Sequence, residues 1–233
     1  MSSSPYALIV GVGDGLSASL ARMLAGEGGY KLALAARRPD KLAALVQELG
    51  ALAVGCDAVD PAQVEALFKH LDAAFGGAPE VVIYNPSARV RGSITEVDPQ
   101  AVAQALAVSA YGGFLVAQQA ARRMLPRGRG AILFTGASAS VKGYAHSAAF
   151  AMGKFALRGL AQSLARELAP QGIHVAHFVI DGVIRNPGRQ EPAEAPDSML
   201  DPDAIARSYL QVLRQDRSAW TWELELRPWV ERF

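Results

Sequence analysis

The stretch Tyr6-Ala-Leu-Ile-Val-Gly-Val-Gly-Asp-Gly-Leu-Ser17 decides the fold of this protein. An apolar run of strand length is followed by three glycines and then by a pattern in which leucines recur on one face of a helix. Glycines let a backbone turn tightly and approach a phosphate, whose charge is stabilised by the free N–H groups at a helix start. The position of the turn favours a dinucleotide site that includes Gly11, Gly15 and Leu16. An ordinary strand-to-helix turn is the alternative.

The same alternation continues along the chain of 233 residues. Strands are expected near 6–10, 31–35, 51–55, 81–84, 130–135, 174–179 and 223–226, and helices near 16–27, 40–49, 62–75, 99–125, 148–169 and 203–214. This order predicts a single α/β domain over residues 1–233, a doubly wound Rossmann fold of about seven parallel strands flanked by helices. The irregular stretch 185–202 is interpreted as a substrate-covering flap, with a disordered surface excursion as the alternative.

The composition excludes several function classes. Lys and Arg number 23 against 22 Asp and Glu, so no broad field attracts nucleic acid or a membrane surface, and neither partner is expected. Cys56 is the single cysteine, and no His/Cys cluster has metal-site spacing, so we expect a cytoplasmic protein without a metal. Residues 1–10 lack the cationic start of a signal peptide. The uncharged stretch 99–121 contains several glutamines and a glycine pair, which favours a buried or subunit-facing helix over a membrane span.

The glycine turn resembles that of the short-chain dehydrogenase/reductase family, Gly-x-x-x-Gly-x-Gly. Gly11 and Gly15 match its first two glycines, and Ser17 stands at the third. The resemblance extends over almost the whole chain. Cys56-Asp57-Ala58 resembles the element that contacts adenine in this family, which implies roles in cofactor binding for Asp57 and Ala58.

Two further segments resemble cofactor-binding motifs of the family. Asn85-Pro-Ser-Ala88 resembles its Asn-Asn-Ala-Gly segment and keeps the first Asn and the Ala. Asp181-Gly-Val-Ile-Arg-Asn186 stands where the family has Pro-Gly-x-x-x-Thr. The resemblance implies that Asn85 lines the cofactor site, that the backbone of Ile184 pairs with the nicotinamide carboxamide, and that Asn186 contacts phosphate.

The end of the second predicted strand decides which dinucleotide is expected. A carboxylate there binds the ribose 2′-hydroxyl of NAD, whereas the 2′-phosphate of NADP requires a cation. The sequence reads Ala35-Ala-Arg-Arg38 and has no carboxylate. Arg37 presents a planar fork to a phosphate, with Arg38 or Lys41 beside it, so NADP(H) is expected. The alternative is that these arginines are solvated charges at a helix start.

The catalytic motif departs from the family pattern. The family uses a tyrosine as proton donor, a lysine four residues later, a serine about a dozen residues upstream and a helix asparagine. Lys154 matches the lysine, but Phe150 occupies the tyrosine position and Ser109 the asparagine position. Ser138 is the expected orienting serine, although a strict count from Phe150 falls on Ala137. Phenylalanine has no ionisable proton, and loss of a general acid typically costs ~10² to 10⁴ in rate.

Another group would have to supply the proton. Tyr144 is the leading substitute and His146 the second, because both lie between Ser138 and Phe150. The alternative is that Tyr144 is a packing residue and His146 inert. When the substrate is a conjugated carbonyl, water can protonate carbon instead.

Two functions remain open from the sequence. The first is an NADPH-dependent oxidoreductase that reduces a carbonyl or conjugated carbonyl compound, with catalytic roles for Ser138, Lys154 and Tyr144. The second is a catalytically inactive NADP(H)-binding sensor or scaffold. In both cases the Ala-rich helices resemble those of the family's dimer interface, so a homodimer or homotetramer is expected.

Overall fold

The computed structural model describes residues 5–231 and centres on a seven-stranded parallel sheet. The seven strands of this sheet are β1 (Tyr6–Val10), β2 (Lys31–Ala36), β3 (Leu52–Gly55), β4 (Val81–Tyr84), β5 (Gly130–Thr135), β6 (Ile173–Ile180) and β9 (Glu223–Leu226). Two short strands, β7 (Val183–Ile184) and β8 (Met199–Leu200), form a separate pair. The sheet order is β3-β2-β1-β4-β5-β6-β9. This order confirms the doubly wound Rossmann fold, with its reversal between β1 and β4.

The central strands are apolar runs because helices cover both faces of the sheet. Every residue of β1, β4 and β6 is buried, and β5 is buried from its second residue onward. A parallel sheet covered on both faces has this continuous pattern, whereas a sheet wetted on one face alternates. Because these runs are continuous, they are visible in the sequence, and the bounds of the seven predicted strands agree with the observed bounds to within one or two residues.

Seven α-helices flank the sheet in the described part of the chain. They are α1 (Leu16–Gly26), α2 (Ala43–Leu49), α3 (Pro61–Phe75), α4 (Pro99–Leu106), α5 (Gly112–Met124), α6 (Ala148–Leu168) and α7 (Pro202–Leu213). Asp60, Asp98 and Asp201 cap α3, α4 and α7, and each side chain accepts hydrogen bonds from the first backbone N–H groups. A proline follows each aspartate, where its missing N–H is not needed. The Asp-Pro pairs therefore set where these helices begin.

The long helix predicted over 99–125 is divided by a π-helical turn at Ala107–Tyr111. Such turns occur frequently at functional sites, and this one packs against α6. By length and composition alone, the helical run Pro99–Arg127 also passes the test for a membrane span, as core helices of soluble proteins do. Buried residues of α5 such as Val116 and Ala120 belong to the core under the sheet.

The irregular stretch after β6 is anchored at both ends. β7 and β8 form a small parallel pair in which Val183 lies opposite Met199 and Ile184 opposite Leu200. Between them, Asn186 and Arg189 form an antiparallel bridge. The sequence did not predict β7 and β8, because strands of two residues have no measurable period.

Candidate active site

The glycine turn after β1 is held by close contacts to the segment after β4. Gly11 has a φ of +82°, and a Cβ there would lie 2.7 Å from the Pro86 ring, so only glycine fits. The Ser17 hydroxyl donates a hydrogen bond to the Gly11 carbonyl at 3.1 Å, and the Asn85 amide donates to the Ser17 hydroxyl at 2.5 Å. The serine that replaces the family's third glycine therefore ties α1, the turn and β4 together.

The start of α1 presents uncapped backbone N–H groups. Gly15 is its N-cap residue, and no side chain within residues 5–231 accepts a hydrogen bond from the first turn. A helix start of this kind carries partial positive charge and binds phosphate. The close approach at Gly11 and the free donors after Gly15 fit a dinucleotide pyrophosphate.

A cavity of about 370 Å³ opens beside this turn. Gly11, Arg37, Asp57, Ala58 and Asn85 all line it, so the structure brings together five of the residues expected to bind the cofactor. Arg38 and Lys41 are not among the lining residues.

A second cavity, of about 290 Å³, continues from the first. Asn85 and Ser87 line both, so the two cavities meet at the segment after β4. The second cavity is lined by the remaining residues expected to bind the cofactor: Gly15, Leu16, Lys154, Ile184 and Asn186. Together the cavities form one groove along the carboxyl ends of the strands, where doubly wound folds bind ligands.

Lys154 is the most deeply buried charged group of this groove. Its side chain is 2% exposed, and its ammonium donates a hydrogen bond of 2.8 Å to the Thr135 carbonyl. Burial, together with the nearby positive charge of Arg89, lowers the pKa of Lys154 to about 7. The lysine therefore holds a proton that is released near neutral pH, which is a common property of functional groups.

Phe150 lies one helical turn before Lys154 and also lines the second cavity. Its ring is 8% exposed and packs with Ala137 and Ala139. The Arg89 guanidinium carbon lies 4.3 Å from the ring centroid. The position that holds the proton donor in the family therefore presents an apolar ring covered by a cation.

The structure does not bring the predicted serine and tyrosine to this cavity. Ala137 lines it and Ser138 does not. Tyr144 is 45% exposed and lines neither cavity, and its ring centroid lies 5.9 Å from the ammonium of Lys142. His146 is exposed, with a φ of +58°. In this conformation only Lys154, of the predicted catalytic residues, lies in the groove.

Ser109 lies in the π-helical turn at the expected asparagine position. Its side chain is completely buried, and its hydroxyl accepts a 3.5 Å hydrogen bond from the backbone N–H of Ala88. The turn therefore connects to the segment after β4 even though the asparagine is missing.

Sequence reasoning missed the basic side chains at this end of the groove. Arg89, Arg185 and Arg189 line the second cavity together with Lys154. A signal was present in the sequence, since Arg89 follows directly after the motif that begins at Asn85.

Comparison with known proteins identifies the family. Residues 5–195 match the short chain dehydrogenase family. The chain is 29% identical over 214 residues to sorbitol-6-phosphate 2-dehydrogenase of Escherichia coli (strain K12). The aligned residues make up 88% of this chain and 82% of that protein. A short-chain dehydrogenase structure from Rhodopseudomonas palustris is 36% identical with a TM-score of 0.83, covering 97% of this chain and 99% of the other. A metagenomic short-chain oxidoreductase in complex with NADP is 25% identical with a TM-score of 0.82, again covering 97% and 99%.

The chain belongs to the short-chain dehydrogenase family. It is an oxidoreductase of this type, a class that binds a nicotinamide dinucleotide and a small-molecule substrate. The resemblance found in the glycine turn and the Asp57 element is thereby confirmed.

Proposed function

We propose that this protein is an NADPH-dependent reductase of a carbonyl or conjugated carbonyl compound. The proposal rests above all on Lys154, a buried ammonium in a cavity that continues into the glycine turn. The related metagenomic oxidoreductase was solved with NADP, which supports the choice of cofactor.

Different residues of the groove bind different parts of the cofactor. The nicotinamide dinucleotide, when bound, supplies the hydride. Arg37 binds the 2′-phosphate, with Asp57 and Ala58 beside the adenine. Gly11, Gly15, Leu16 and Asn186 hold the phosphates, while Asn85, Ile184 and Lys154 line the nicotinamide half.

The proton must come from a group other than residue 150. Lys154 polarises and orients the bound groups, and water protonates carbon when the substrate is a conjugated carbonyl. For a simple carbonyl, Tyr144 is the proposed donor and Ser138 the proposed orienting hydroxyl, which requires the loop 138–147 to close over the cavity. Activity retained in a Tyr144→Phe variant would leave His146 or water as the proton source, and activity lost with unchanged NADPH affinity would identify Tyr144.

Cofactor preference is the first test. We expect NADPH to bind more tightly than NADH, and Arg37→Ala to weaken NADPH about 10- to 100-fold with little effect on NADH, because a charge-assisted hydrogen bond contributes about 1.5–3 kcal/mol. Isothermal titration of both cofactors measures this. Arg38→Ala is the matched control, since Arg38 does not line the cavity. Preference for NADH would overturn the NADPH assignment, and binding of neither would overturn the proposed function.

Phe150 supports a second candidate, an inactive NADP(H)-binding sensor or scaffold. A panel of ketones, aldehydes and enones separates the two functions. Turnover by the wild-type protein supports the reductase. NADPH binding without turnover, together with activity gained in Phe150→Tyr, supports the sensor.

We further propose that the chain is one NAD(P)-binding domain, that the segment 185–202 acts as a flap over the substrate, and that the protein is cytoplasmic. The flap is consistent with the position of Arg185, Asn186 and Arg189 in the cavity lining.

We also propose that the protein is a homodimer or homotetramer. Large apolar side chains are exposed on the π-helical turn, α5 and α6: Tyr111, Phe114, Met152 and Phe155. A second copy of the chain would cover this surface. We expect Phe155→Glu to yield monomers in light scattering while helix content is retained, and Ala44→Glu on α2 to leave the assembly unchanged. A wild-type protein that is monomeric at high concentration would contradict this.

A further inference from the structure

The second cavity carries more positive charge than Lys154, the one basic side chain there that the proposed cofactor contacts use. Its four basic side chains are Arg89, Lys154, Arg185 and Arg189, and none of its lining residues is acidic. Arg185 has a partner, since its guanidinium lies 3.3 Å from the Asp201 carboxylate. Arg89 and Arg189 form no ion pair with a carboxylate of residues 5–231.

Arg89 is held in place by an aromatic ring rather than by an anion. Its guanidinium lies over Phe150, where the negative face of the ring attracts the cation. Because the ring covers one face of the guanidinium, the N–H groups at its edge remain available to a planar or tetrahedral acceptor. Partial desolvation and repulsion by Arg91 and Arg189 lower the pKa of Arg89. An anion bound in the cavity between Arg89 and Arg189 would relieve the repulsion between these two side chains.

The place of this charge points to the substrate. Phe150 and Lys154 mark the reacting end of the groove, and Arg89 covers the Phe150 ring there. The residues assigned to cofactor phosphates, Gly15 and Asn186, lie at the start of α1 and after β7 in the same cavity.

We propose that the substrate carries a carboxylate or phosphate group, and that Arg89, supported by Arg189, binds this group beside Phe150 and Lys154. The inference rests on the proposed reductase function, which places the substrate in this cavity. Guanidinium binds either anion with two parallel hydrogen bonds, so it fixes orientation as well as position. Arg89 would thus determine specificity, and Phe150 would serve as the support of its guanidinium.

A binding experiment tests the anion site without requiring turnover. Malonate and inorganic phosphate are titrated calorimetrically, at constant ionic strength, into the protein with and without saturating NADPH. We expect saturable binding of at least one probe, weakened about tenfold or more by Arg89→Met, since charged hydrogen bonds contribute about 1.5–3 kcal/mol. Arg91→Met is the matched control, because Arg91 does not line the cavity. Equal binding by wild type and Arg89→Met, or binding lost only in Arg37→Ala, would overturn the site.

A kinetic experiment tests the substrate class. Levulinate is compared with its methyl ester, and dihydroxyacetone phosphate with dihydroxyacetone, so that each pair differs in one charge. We expect the charged member of at least one pair to have the higher kcat/KM. In Arg89→Met the ratio of kcat/KM between the charged and the neutral member should fall about tenfold or more, mainly because KM for the charged member rises. The NADPH dissociation constant should be the same in both proteins. Preference for the neutral members, or a preference that persists in Arg89→Met, would overturn the inference. Failure to bind NADPH would instead overturn the proposed function, while the anion titration without cofactor still reports on Arg89.

Discussion

Burial of the Lys154 ammonium lowers the stability of the folded protein near neutral pH. In the unfolded chain a lysine keeps its proton up to a pH of about 10.4, whereas burial lowers the pKa of Lys154 to about 7 in the folded protein. Between these pH values the unfolded state binds more protons, so the free energy of unfolding rises with pH. At pH 7 the buried lysine therefore destabilises the folded state by roughly 4 kcal/mol relative to a pH above both values.

We expect Lys154→Met to raise the stability of the cofactor-free protein at pH 7. Loss of the hydrogen bond to the Thr135 carbonyl offsets about 1 kcal/mol, so the net gain is about 2–3 kcal/mol and the advantage shrinks as the pH rises toward 10. Thermal unfolding between pH 7 and 9.5 measures this. Lys69→Met, at an exposed position on α3, should not alter the pH profile. A Lys154→Met protein with an unchanged profile would contradict the buried, shifted lysine.

At the residue scale the sequence predicts the lysine but not its surroundings. Lys154 is recognisable from the resemblance of its segment to the family's catalytic motif, and the glycine turn from its place after β1. The choice between Ala137 and Ser138 depends on the phase of a short 3₁₀ turn at Ser138–Ser140, which no periodic pattern reveals. The contact between Arg89 and Phe150 joins residues far apart in the chain, so local patterns hold no information about it.

At the scale of elements, the contact of α6 with the π-helical turn depends on one glycine. A Cβ at Gly153 would lie 2.7 Å from the Cβ of Ser109. Gly159, later in the same helix, has open space around it. The two glycines therefore form a matched pair with opposite expected effects.

We expect Gly153→Ala to destabilise the protein by about 1–3 kcal/mol through overpacking, and to lower NADPH affinity because Lys154 is the next residue. Gly159→Ala should instead stabilise it by about 0.5–1 kcal/mol, the usual gain in helix propensity. Urea unfolding of both variants measures whether the free energy of unfolding falls in Gly153→Ala and rises in Gly159→Ala. Equal effects would mean that α6 and the π-helical turn can separate at little cost.

The elements themselves were largely predictable, for a physical reason. Strands buried on both faces and helices capped by Asp-Pro pairs leave signals within a few residues. The pairing of β7 with β8 and the break of the helix at Ala107–Tyr111 depend on tertiary contacts, which patterns within a few residues do not reveal.

At the scale of the whole molecule, a buried polar network joins the last strand to the site. The His177 ring on β6 contacts Glu223 on β9 through Nδ1 at 3.0 Å and the Ser140 hydroxyl through Nε2 at 3.3 Å. Arg158 of α6 donates two hydrogen bonds to the same carboxylate, at 2.7 and 2.8 Å. The Ser140 hydroxyl accepts a hydrogen bond from the backbone N–H of Ala137, which lines the second cavity. A neutral imidazole protonated on Nδ1 satisfies each of these contacts.

This network predicts how acid destabilises the fold. Burial lowers the pKa of His177 to about 4, against the opposing effect of Glu223, whereas histidine in an unfolded chain has a pKa of about 6.5. Between these values the unfolded state binds more protons, so stability falls as the pH falls from about 6.5 to 4, by up to about 3 kcal/mol. Burial also lowers the pKa of His174, which adds a loss of the same sign.

We therefore expect urea unfolding free energies to decrease on acidification well before the carboxylates titrate. His177→Gln should be less stable than wild type at pH 7 but lose less stability between pH 6.5 and 4.5. His70→Gln, at an exposed position on α3, should keep the wild-type profile. Because the network ends at the backbone of Ala137, NADPH binding at pH 7 should weaken in His177→Gln and not in His70→Gln. A wild-type stability that is constant from pH 7 to 5 would contradict a neutral, buried His177.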